Sequence, residues 1–121
     1  MPNEKILLVA PARDGAPSFI ENLPFAVCNP GNCPWPFPEN LRVLLVDGRV
    51  GAEMCIHLSR RAKLETPRAI RILYHASESF LRSLPMNDHA FTLALPEDKT
   101  PDELHAIVAA VLERTEGEPS G

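Results

Sequence analysis

The stretch "LRVLLVD" at residues 41–47 constrains the fold more than any other part of the chain. Successive side chains of a β-strand point to opposite faces, and here Leu41, Val43 and Leu45 fall on one face while Leu44 and Val46 fall on the other. A strand that is apolar on both faces must be covered on both. That is the condition of a central strand in a parallel sheet with helices above and below it. Parallel neighbours need crossover connections, so the rest of the chain has to supply alternating strands and helices.

It does so with two irregularities. "KILLVAPA" from Lys5 predicts a buried first strand ended by Pro11. Asp14 and Ser18 can each cap a helix, but "GAPSFIENL" before Pro24 leaves room for little more than about two turns, so any first helix is stunted. "FAVCN" predicts a second strand. "PGNCPWPFPEN" then packs four of the 13 prolines into a stretch that can be neither an interior helix nor a central strand, so a loop stands where a regular second helix belongs.

After the quoted run, residues 51–64 carry Met54, Cys55, Leu58 and Ala62 at helical spacing, with Arg60, Arg61 and Lys63 late, where cations suit the helix C-terminus. "AIRILYHA" predicts a fourth strand, "SESFLRSL" a short helix ended by Pro85, and "HAFTLAL" a fifth strand ended by Pro96. Thr100, Pro101 and Glu103 form a capping box for a last helix. Its sheet-facing residues are Leu104, Ile107, Val108, Val111 and Leu112, with His105, Ala109, Glu113 and Arg114 outside. We expect one domain over residues 1–115, and a tail or the start of a linker at 116–121, "EGEPSG".

Composition narrows the partners. With 121 residues, 45% hydrophobic, 23% charged and a net charge of -4, the chain can bury one core and is not built to coat a polyanion, so we expect no direct nucleic-acid contact by this domain. Three cysteines are few and odd in number, and no N-terminal apolar segment is long enough for a signal peptide or a membrane span, which points to the cytoplasm and away from membranes. "VAPARDGAP" lacks the glycine spacing of a phosphate-cradling turn, so no nucleotide or flavin cofactor is expected.

Five such strands predict a doubly wound, flavodoxin-like α/β sheet in the order 2-1-3-4-5, with function at the carboxyl ends of the strands. With Asp47 closing the third strand in "RVLLVD", Ala76 after the fourth and "FTLALP" running into Pro96, the layout resembles the receiver domain of two-component response regulators over nearly the whole chain. The resemblance makes Asp47 the phosphoacceptor position and implies three helpers. An acidic pair ending the first strand should complete a Mg²⁺ shell, but Ala10 and Pro11 stand there, with Asp14 the nearest carboxylate. A lysine before the last proline should neutralise phosphate, but Leu95 precedes Pro96. A hydroxyl should end the fourth strand, where His75 stands, with Ser77 two residues on. What remains is an atypical receiver, or pseudo-receiver, with no metal and no cofactor, acting through protein contacts: a homodimer, or control of its own output domain, such as a transcription regulator.

Several readings stay open on sequence alone. Asp47 is a genuine phosphoacceptor, or a strand-end carboxylate that accepts loop amides, or the partner of His75, Arg13 or Arg49. A third class of function, a small enzyme with Asp47 and His75 as an acid/base pair, uses the same strand ends. Cys28 and Cys33 have neither redox nor zinc spacing, and His57, His75, His89 and His105 are scattered, so the cysteines are read as structural and Cys55 as core, with a Cys28–Cys33 disulfide left conceivable. Trp35 and Phe37 either cover the core or form an exposed docking strip. The short helix and the last helix offer an interaction face of Phe80, Leu81, Ala109 and Ala110, rimmed by Arg82, Glu113 and Arg114.

Overall fold

In a computed structural model of the chain, the described residues are 5–11, 18–20, 22–23, 25–32, 37, 39–83, 91, 93–95 and 98–117. Five strands are present, Ile6–Val9 (β1), Phe25–Cys28 (β2), Val43–Asp47 (β3), Ile70–Tyr74 (β4) and Leu93–Ala94 (β5). All pair in parallel, in the order β2-β1-β3-β4-β5. The run that is apolar on both faces takes the centre: Leu45 lies beside Leu8 and Ile72, and Asp47 ends the strand beside Tyr74.

The two faces of the sheet build two cores. On one, Ile6, Leu8, Val43, Leu45, Ile72 and Tyr74 meet Val108 and Leu112 of the last helix, Pro101–Gly117 (α3 in chain order). On the other, Leu7, Val9, Leu44, Val46 and Leu73 meet Cys55, Leu58 and Ala62 of Ala52–Glu65 (α1). All five residues of β3 are fully buried, and each buried Val or Leu side chain contributes about 1.5–3 kcal/mol of transfer free energy. The helix after β4, Glu78–Ser83 (α2), is short, and its Phe80 packs onto the α1-side core.

The capping box is formed as the sequence predicts. The Glu103 amide donates to Thr100 Oγ1 at 3.2 Å, and the Glu103 carboxylate accepts from the Thr100 hydroxyl at 3.1 Å. Between β1 and β2 the described residues hold only a single 3₁₀ turn, Ser18–Ile20, and between β2 and β3 they hold no helix. Phe37 fills part of that second gap. It is 3% exposed within the α1-side core, so this ring covers rather than docks, while Trp35 and Cys33 lie outside the described residues.

Boundaries differ from expectation where backbone bonds decide them. The third strand begins at Val43 rather than at residue 41, because the Arg42 and Val43 amides both donate to the Lys5 carbonyl. Of the expected fifth strand, residues 89–95, the described part in the sheet is Leu93–Ala94, with residues 89, 90 and 92 outside the described residues, and α3 runs through Gly117 instead of ending before residue 116. His105 does not stand outside. It is half-buried, and its Nδ1–H donates to the Phe19 carbonyl at 2.8 Å, fastening α3 to the 3₁₀ turn. Among the described residues no helix is long and apolar enough to cross a membrane.

Candidate functional site at the strand ends

Asp47 is the last residue of β3, 0% exposed, and the backbone leaves it into a 3₁₀ turn, Gly48–Val50. Its side chain caps that turn by accepting the Arg49 amide at 2.9 Å. The Arg49 guanidinium then folds back over the same carboxylate: Nε lies 3.1 Å from each carboxylate oxygen, and Nη2 donates to Oδ2 at 2.6 Å. One residue thus supplies both a backbone and a forked side-chain clamp, the geometry in which arginine binds carboxylate most strongly. The Arg49 side chain remains 50% exposed while that of Asp47 is sealed. Of the three partners open on sequence, Arg49 holds Asp47 among the described residues. Arg13 lies outside the described residues, and among the described residues no hydrogen bond joins His75 to Asp47.

Two glycines shape this corner. A Cβ on Gly48 would stand 2.8 Å from the His75 carbonyl oxygen, so the ends of β3 and β4 approach as they do only because residue 48 has no side chain. Gly51 opens α1 with φ of +104°, a conformation that disfavours any side chain. Behind Asp47, Cys55 is 0% exposed. Burial and then the Asp47 charge push its thiol up to about 12.

The remaining strand-end residues separate into distinct environments. Ala10 is buried and its amide donates to the Cys28 carbonyl, Pro11 is half-buried, and neither side chain carries a carboxylate. Leu95 is 3% exposed and belongs to the α3-side core, so the position expected of a lysine is spent on packing. His75 is exposed, adopts φ of +54°, and lays its ring against Tyr74 at 4.8 Å between centroids. Ser77 accepts the Phe80 amide at 3.1 Å and so caps α2. Asp14 and Pro96 lie outside the described residues. Among the described residues no group of three or more His, Cys, Asp or Glu side chains is placed to hold a metal ion.

On the expected interaction face, Phe80 is half-buried and packs inward, Arg82 is exposed and paired with Glu78 at 2.7 Å, and the Leu81 side chain lies outside the description. Ala109 is half-buried, whereas Ala110, Glu113 and Arg114 are exposed. Sequence reasoning missed two features. Gly48 carries no signal that distinguishes close approach from an ordinary turn, and Cys55 meets Asp47 only because α1 folds back behind β3.

A five-stranded parallel sheet in this order with flanking helices is the flavodoxin-like α/β fold of a receiver. No protein-family model matches the chain, and no curated protein does. Among solved structures, the chain is similar to a response regulator from Thermotoga maritima, with a TM-score of 0.59 and 16% identity over 89% of this chain and 97% of that one. At that identity the likeness shows the fold.

Proposed function

We propose that this chain is a receiver-like signalling module that works through protein contacts, by dimerisation or by control of an output domain such as a transcription regulator, without taking phosphate on Asp47. One observation carries the proposal: the carboxylate at the phosphoacceptor position is fully buried and both its oxygens are bound by Arg49. An acceptor has to present an oxygen lone pair to an incoming phosphorus, and acyl-phosphate formation rests on preorganised positive charge for the phosphoryl oxygens. Here the charge is already spent on the acceptor itself. Ala10, Pro11 and Leu95 add no carboxylate and no ammonium. The fold likeness to a response regulator supports the signalling class. An acid/base role for Asp47 with His75 gains no support from a histidine ring tilted against Tyr74 and a carboxylate held by arginine.

The test is incubation of the full chain with acetyl phosphate and Mg²⁺, followed by intact-mass measurement. No phosphate adduct is expected. A stoichiometric adduct that disappears in Asp47→Asn contradicts the proposal.

A further inference from the structure

No further inference is drawn: the strongest candidate, the outer edge of β2 around the exposed Val27, is an uncharged edge strand that pairs among the described residues with β1 alone, and nothing in the structure shows what covers it.

Discussion

At the residue scale the molecule turns on the pairing of Asp47 with Arg49. The pair is asymmetric, because Asp47 is sealed while Arg49 is half exposed, and the asymmetry predicts unequal costs. Removing the guanidinium in Arg49→Ala strands a carboxylate in a dry site and should cost ~2–4 kcal/mol in urea unfolding. Removing the charge in Asp47→Asn leaves an arginine that water can reach, so it should cost about 1 kcal/mol, and the double variant should be less destabilised than Arg49→Ala alone. Equal costs for the two single variants would mean that the pair is a surface feature. Cys55 reports the same corner. With its thiol up near 12, it should resist disulfide reagents at pH 8 in the folded chain, and Asp47→Asn should lower its titration midpoint by removing the second of its two causes. The sign follows: a thiol that keeps its proton longer when folded makes the fold lose stability as pH rises from about 9 towards 12. An unmoved midpoint in Asp47→Asn would separate the two groups. The sequence named Arg49 as one of three partners but could not choose, because the choice depends on how the turn after β3 bends.

The elements were legible where local chemistry and periodicity agree. β3 follows from its double apolar face, and α3 from Thr100, Pro101 and Glu103 together with the spacing of Val108 and Leu112. Positions settled by distant partners were not legible. Nothing near His105 in the sequence announces the Phe19 carbonyl, 86 residues away. The bond between the proline-rich loop and α1 is of this second kind. Glu65 holds the Phe37 amide, and its hydrogen bonds to Arg61 keep its carboxyl below the usual range, against a smaller opposing effect of burial. A depressed carboxyl contributes stability that is present above its unfolded value of 4.5 and is lost as pH falls through the folded value. Glu65→Gln should therefore be less stable than the parent at pH 7, by roughly 1 kcal/mol, and should approach it as the pH drops below 4. The measurement is a series of thermal melts from pH 3 to pH 7, and a gap that stays constant across the series would sever the loop from that ion pair.

At the scale of the whole molecule, the sheet has the strand order of a receiver, and the proposed function is that its strand ends do not carry a receiver's phosphoryl chemistry. Fold class was readable because it rests on an alternation spread over the entire chain, whereas the state of the site rests on a few side chains. The residues where helpers are expected are put to other uses: Ala10 and Leu95 pack in the α3-side core, Ser77 caps α2, and Arg49 closes Asp47. Each use is local and mutually compatible, which supports the proposal that the strand ends form a finished corner. The most direct test of that claim is amide NMR of the ¹⁵N-labelled chain with Mg²⁺ and beryllofluoride, a mimic that must reach an aspartate oxygen to bind. The account predicts that the resonances of residues 47–51 and 74–77 stay where they are in the free protein. Saturable, stoichiometric shifts centred on Asp47 would contradict it.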